Sequence, residues 1–220
     1  MFNLSDSLPN VQLLLSPVTC AGKDIDILSV VHSAVENLEA REAIRASWGA
    51  PKGEYGIVTK LVFILGVSHN ASHQGMLEAE SLLYGDIVQG DFIDAYRNLS
   101  YKNLLGLQWV SHYCTEAKII VKTDDDYFID IYAIHHLSND FLANPRFQDG
   151  SLLACPMLTN NIVFRDLNNK ETGRWVISQE ELPSSRLQKW HRRESNNDNY
   201  PPYCTGWNNL SNRHHAYSDF

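Results

Sequence analysis

Ile119-Ile120-Val121-Lys122-Thr123-Asp124-Asp125-Asp126-Tyr127-Phe128 is the stretch that decides the fold. Four residues rich in β-branched side chains read as a buried strand, and the strand delivers three adjacent carboxylates at its C-terminal end. In open α/β sheets that edge is where ligands bind. Three packed carboxylates repel one another and raise each other's pKa values unless a cation compensates. A hard divalent cation prefers such oxygen ligands, and substrate phosphates complete its shell. The competing reading is helix capping by Asp126 or Asp130 at the start of the next helix, with the run in solvent.

Outward from this strand, apolar runs and amphipathic segments alternate. Ile25–Val31 and Leu61–Leu65 read as buried strands, Ile87–Gln89 as a short one and Leu152–Leu158 as a later one. Leu38–Trp48, Ser72–Tyr84, Ser100–Cys114 and Ile129–Leu142 read as helices. Ser72 is a candidate N-cap, and Leu104, Leu107, Trp109 and Val110 recur at helical spacing within Ser100–Cys114. Strand and helix in alternation predict an α/β fold with a mostly parallel central sheet. From Arg165 onward polar residues dominate and a loop-rich C-terminal part is expected.

The 220 residues suit one medium-sized domain or two small ones. A formal charge of -8 argues against a general nucleic-acid binder. No apolar run reaches the roughly 20 residues of a membrane span, and no signal peptide is legible. The spacing of Cys20, Cys114, Cys155 and Cys204 matches no zinc pattern, which leaves buried thiols or one or two disulfides. Sequons at Asn3, Asn70, Asn98 and Asn209 point toward a secretory compartment.

Several motifs, taken in order, resemble those of the β-1,3-glycosyltransferases, the inverting family that includes the β-1,3-galactosyltransferases and β-1,3-N-acetylglucosaminyltransferases. Arg41-Glu42-Ala43-Ile44-Arg45-Ala46-Ser47-Trp48 resembles its R-x-x-I-R-x-[ST]-W segment. Val62 to Gly66 resembles its apolar strand ending in Gly, and Glu78 to Tyr96 its acidic and aromatic block. Asn98 to Asn103 is similar to its N-L-[ST]-x-K-T stretch, with Asn103 in place of Thr. Lys122 to Asp126 corresponds to its K-x-D-x-D metal motif, and Arg174-Trp175 and Tyr200 to Gly206 to its later K-W and Y-P-P-Y-C-x-G motifs.

The resemblance implies a GT-A-like, Rossmann-type domain, a UDP-sugar donor and Mn2+ (or Mg2+). It implies transfer of a hexose, galactose first and N-acetylglucosamine as the alternative, to a glycan on glycoprotein or glycolipid. The new linkage would be β-1,3, formed with inversion. Golgi residence on the lumenal side of the membrane is implied for the full-length family member. Asp124 and Asp126 are the implied metal ligands. Asp125, Arg41, Arg45, Asp86 and Lys122 are the candidate donor-binding residues, with the arginines alternatively steadying nearby acids. Trp175, Tyr200 and Tyr203 are candidates for the acceptor loop, while Trp48 and Trp109 are expected as core anchors.

The match fades after Gly206, where the family's acidic general-base motif is not found, so no catalytic base is assigned. The expected organisation is an N-terminal extension over 1–20, an incomplete glycosyltransferase domain over 21–206 and a divergent tail over 207–220. An inactive form that retains UDP-sugar binding, or a regulatory role, is the alternative function.

Overall fold

The computed structural model describes residues 11–17, 20, 24–50, 56–145, 154–155, 165, 177–178 and 180, and the backbone of 153, 157–158, 203–204 and 209–212. Packing divides the chain into two units, one from Met1–Ala154 with Gly206–Phe220 and one from Cys155–Thr205.

The first unit is built on a seven-stranded sheet. Its centre is four parallel strands: β2 (Ile27–His32), β3 (Thr59–Val67), β4 (Ile87–Ile93) and β5 (Ile119–Asp124). They lie in the order β4-β3-β2-β5. β1 (Leu13–Leu15) runs antiparallel against β4 at one edge. At the other edge β9 (Asn209–Asn212) runs antiparallel to β5, and β6 (Leu153–Ala154) antiparallel to β9. β2 is buried at all six positions, as a strand covered on both faces must be.

Helices α1 (Leu38–Ala46), α2 (Ala71–Tyr84), α3 (Leu99–Tyr113) and α4 (Ile131–Ala143) link the strands. One face of the sheet packs Leu28, Val30, Val62, Ile64 and Ile120 against Leu105, Trp109 and Val110 of α3. The other packs Ile27, Val31, Phe63 and Val121 with Ile44 and Trp48 beside α1 and Leu77 of α2. Trp48 and Trp109 are both buried, in the anchoring role expected of them.

Several elements differ from the sequence reading. β4 is a seven-residue strand, longer than Ile87–Gln89, because Gly90 pairs with Leu13 of β1 and Ile93 with Val67 of β3. The N-cap of α2 is Asn70, whose side chain accepts from the Ser72 amide at 2.9 Å, so Ser72 sits one step inside the helix. Met76, Leu82 and Leu83 of that helix face solvent, and its inward positions are Leu77 and Glu80. The buried side of α3 is set by Lys102, Leu105, Gly106, Trp109 and Val110, about one position away from the Leu104 and Leu107 reading. Leu152–Leu158 is not one strand: β6 belongs to the large sheet and β7 (Met157–Leu158) pairs with β8 (Tyr203–Cys204) in the second unit. Asn209–Asn212, assigned to a divergent tail, is a sheet strand.

Two constraints fix the strand geometry. A Cβ on Gly66 would sit 2.5 Å from the Phe92 carbonyl, so only glycine lets β3 approach β4 at the irregularity between Leu65 and Val67. A disulfide joins Cys20 to Cys114 across 94 residues, and Cys155 is disulfide-bonded as well. Among the described residues no helix is long and apolar enough to cross a membrane.

Candidate metal and nucleotide site

The strand order places the site. From β2 the chain winds outward through β3 to β4, then returns to the other side of β2 for β5. The winding direction reverses between β2 and β5, and their C-terminal ends diverge into a crevice at such a switch point. In the parallel register His32 is opposite Asp124. Ser33 to Asn37 follow one strand and Asp125 to Asp130 the other, so both connections border the same crevice.

The three aspartates have different surroundings. Asp124 ends β5, half-buried, with its Oδ1 3.6 Å from Lys122 Nζ and 3.8 Å from His32 Nδ1. Asp125 turns back toward β2: its Oδ2 accepts from Ser33 Oγ at 2.7 Å and from Asn37 Nδ2 at 2.9 Å. Asp126 is exposed in the turn. The capping role belongs to Asp130, whose Oδ1 accepts from the Ala133 amide at 2.9 Å at the start of α4. Trp48 Nε1 donates to the Tyr127 carbonyl at 3.1 Å and ties the turn to the core.

Burial pushes the Asp124 carboxyl above its ordinary range; the Lys122 ammonium works against that, and the neighbouring Asp126 and Asp125 add to it. Burial likewise lowers the Lys122 ammonium, opposed by Asp124. His32 is held well below the usual imidazole range by burial and by the Lys122 and Lys102 charges, so it is neutral at pH 7. A carboxylate with raised pKa beside two others is an arrangement that a cation relieves. Among the described residues no group of three or more His, Cys, Asp and Glu side chains forms a cage for a metal. An ion here would have at most one or two of these carboxylates as ligands, and the rest of its shell would have to come from phosphate oxygens and water.

Of the expected donor-binding residues, the structure brings Asp125 and Lys122 to the crevice and leaves Arg45 and Asp86 away from it. Asp86 precedes β4, whose first residue Ile87 is level with Phe63, Val31 and Thr123 through the paired registers, so Asp86 is displaced from the crevice across the sheet and not along it. Three inter-strand spacings of about 4.8 Å each, about 14 Å in all, separate β4 from β5 in the sheet order. There Arg45 makes a bidentate pair with Asp86, both bonds at 2.8 Å, and a third bond to Glu80 at 2.6 Å. Its guanidinium also lies over the Tyr84 ring at 3.9 Å. Arg41 lies nearer the crevice but is wholly buried, with Nε and Nη2 on Glu80 at 2.8 and 2.7 Å. Burial would raise the Glu80 carboxyl, but the hydrogen bonds from Arg41 and Arg45 outweigh it and hold it below the ordinary range. Of the two roles open to the arginines, steadying acidic side chains is the one this geometry displays.

Sequence reasoning missed Ser33, Asn37, Lys102 and Glu80. Lys102 Nζ is buried and donates to the Ser33 carbonyl and to Asp94 Oδ1, each at 2.7 Å. The available signal for Ser33 was its place directly after a buried strand; nothing marked Glu80 among the acids of α2. Trp175 and Tyr200 lie outside the described residues. Tyr203 is placed by its backbone in β8. Of the sequons, Asn70 caps α2, Asn98 donates to the Ile93 carbonyl at 2.8 Å, Asn209 opens β9 and Asn3 lies outside the described residues.

A mostly parallel sheet with its switch point between β2 and β5 defines an α/β domain of the Rossmann type. The family model for galactosyltransferases matches residues 39–214. The chain belongs to that family. It is 31% identical over 194 residues to beta-1,3-galactosyltransferase 5 of Homo sapiens, covering 88% of this chain and 56% of that protein. Beta-1,3-galactosyltransferase 5 of Gorilla gorilla gorilla gives the same identity over 58% of its length. Beta-1,3-galactosyltransferase 1 of Mus musculus is 31% identical over 195 residues, 88% of this chain and 53% of that protein. The chain thus spans somewhat over half the length of the relatives it matches.

Proposed function

We propose that this chain carries the donor site of a β-1,3-galactosyltransferase that moves galactose from UDP-galactose to a hydroxyl of a glycan on glycoprotein or glycolipid. The observation that carries the reading is the Asp124–Asp126 turn at the switch point between β2 and β5, in a chain of the galactosyltransferase family. Asp124 and Asp126 would hold Mn2+ against the donor diphosphate, and Asp125 would accept a hydrogen bond from a donor hydroxyl. Lys122, whose Nζ lies 3.6 Å from Asp124 Oδ1, would add positive charge near the diphosphate. The bound ion would offset the charge that builds on the departing UDP.

In the transfer, the acceptor oxygen bonds to the anomeric carbon on the face opposite UDP, and the carbon–oxygen bond to the diphosphate breaks. Inversion follows from attack on that face. The acceptor proton passes to a general base, which no residue of this chain is assigned to be. His32 is unsuited to that task, because it is buried beside Asp124 and its lowered pKa makes it a weak base. The Cys20–Cys114 disulfide supports residence in an oxidising compartment, in keeping with the Golgi lumen.

Calorimetric titration of the chain with UDP-galactose, with and without Mn2+, tests the donor site. Mn2+-dependent binding that Asp126→Ala weakens at least tenfold supports it. Equal affinity of Asp126→Ala and wild type would sink the metal assignment. Donor binding without transfer to any galactose acceptor would reduce the function to donor binding alone.

A further inference from the structure

We infer that Ser33 and Arg41 form a positioning relay that sets the orientation of Asp125, so that donor affinity depends on two side chains that do not touch the donor. This rests on the donor-site reading above and deepens it.

Arg41 has five N–H donors, and all five are engaged. Nε and Nη2 bond to Glu80 at 2.8 and 2.7 Å, and Nη2 also reaches the Val35 carbonyl at 3.1 Å. Nη1 donates to the Ala34 carbonyl at 2.5 Å and to Ser33 Oγ at 3.0 Å. No donor remains for a phosphate. The guanidinium instead gathers three consecutive residues of the loop after β2.

The Ser33 hydroxyl carries a single hydrogen. Its oxygen accepts from Arg41, and the acceptors within its own reach are Asp125 Oδ2 at 2.7 Å and the Ala34 carbonyl at 3.3 Å. The shorter contact goes to a carboxylate oxygen, and charge-assisted bonds are the stronger ones. The hydrogen therefore points at Asp125, and the Arg41 cation polarises it in that direction. Ser33 is fixed independently by its backbone. Its amide donates to the Ile64 carbonyl at 3.3 Å, and its carbonyl accepts from Lys102 at 2.7 Å. Asn37 Nδ2 makes a second bond to the same Asp125 oxygen at 2.9 Å. Both bonds fall on Oδ2, which sets the rotation of the carboxylate and leaves Oδ1 as the oxygen for the donor.

The test uses the full 220-residue chain, with UDP-galactose and Mn2+ as the probe. Ser33→Ala removes one hydroxyl and is expected to weaken donor binding by roughly tenfold, the scale of one lost charge-assisted bond. Its melting temperature should fall by no more than about 6 °C, because the bonds from Arg41 and to Asp125 are lost while the backbone bonds of Ser33 and the other four bonds of Arg41 remain. Ser33→Thr keeps the hydroxyl and should bind within about threefold of wild type. Since Ser33 acts through Asp125, Ser33→Ala combined with Asp125→Asn should bind no more weakly than Asp125→Asn alone. Wild-type affinity in Ser33→Ala, failure of Ser33→Thr to restore it, or additive losses in the double variant would overturn the relay. Absence of Mn2+-dependent donor binding in the wild type is a different failure, that of the donor site itself.

Discussion

At the residue scale, Asp124 is in conflict with its own fold. Burial raises its carboxyl, Asp126 and Asp125 raise it further, and Lys122 offsets only part of the effect. A group whose folded pKa lies above its unfolded value destabilises the fold once it ionises, so at neutral pH Asp124 works against folding in metal-free buffer. Asp124→Asn is expected to melt higher than wild type in that buffer, while its Mn2+-dependent UDP affinity falls at least tenfold. Calorimetric melting and a UDP titration on the same sample read both. A lower melting temperature would show that the pair with Lys122 outweighs the repulsion. His32 supplies a second test. Its folded pKa lies well below 6.5, the ordinary value, so the unfolded chain takes the proton first. Stability is therefore full above about pH 6.5 and declines as pH falls below it. Denaturant melts between pH 7 and 5 should show that decline, and His32→Leu should flatten it. The window lies above the one in which Glu80, with its carboxyl held below 4.5, loses its own contribution.

At the scale of elements, the arginines of α1 and the acid of α2 clamp two helices that share little apolar contact. Arg41 and Glu80 are 1% and 5% exposed, and most of the outward apolar residues of α2 contribute nothing to the interface. Removing one partner of such a buried pair leaves the other charge uncompensated, at a cost of about 3–5 kcal/mol. Glu80→Gln should therefore lose about 3 kcal/mol in urea unfolding, while Glu78→Gln, on an exposed site of the same helix, should lose less than about 0.5 kcal/mol. The same clamp explains what was hard to read in the sequence. Strands β2, β3 and β5 were legible because short runs of Ile, Val, Leu and Phe have few other uses in a soluble chain. The helices were legible as elements, but the faces of α2 and α3 were not. A periodic pattern assumes that apolar residues face inward, and here Glu80 and Lys102 take inward positions through ion pairs while Leu82 and Leu83 stay out. β9 was not legible at all: Asn209-Leu210-Ser211-Asn212 has one apolar residue, and its strand state comes from pairing with β5 and β6. The aspartates of the site were legible as a cluster. Their supports, Ser33 and Asn37, were not, because 92 and 88 residues separate them from Asp125 and only the sheet order brings them near.

Across the whole molecule, the parallel sheet sets the Cys20–Cys114 disulfide apart from what binds at its crevice. Asp124 to Asp126 stand at the C-terminal end of β5. Cys114 closes α3 ahead of the same strand, and the disulfide to Cys20 therefore lies toward the N-terminal edge. Both cysteines are buried, and the Cys20 amide donates to the Tyr113 carbonyl at 2.8 Å, so the link holds the segment before β2 against the end of α3. Closing a loop of 94 residues restricts the unfolded chain strongly, and such a bond contributes about 2–4 kcal/mol. For a chain of this size that is roughly 5–15 °C in melting temperature. The paired variant Cys20→Ala with Cys114→Ala is expected to show that drop in a thermal melt. Its donor affinity, measured well below the melt, should match wild type, because Ile119 to Thr123 of β5, four of them buried, lie between the bond and the aspartate turn. Affinity that falls together with stability in the still-folded variant would mean that the two edges of the sheet are coupled, and that the crevice depends on tension carried along β5.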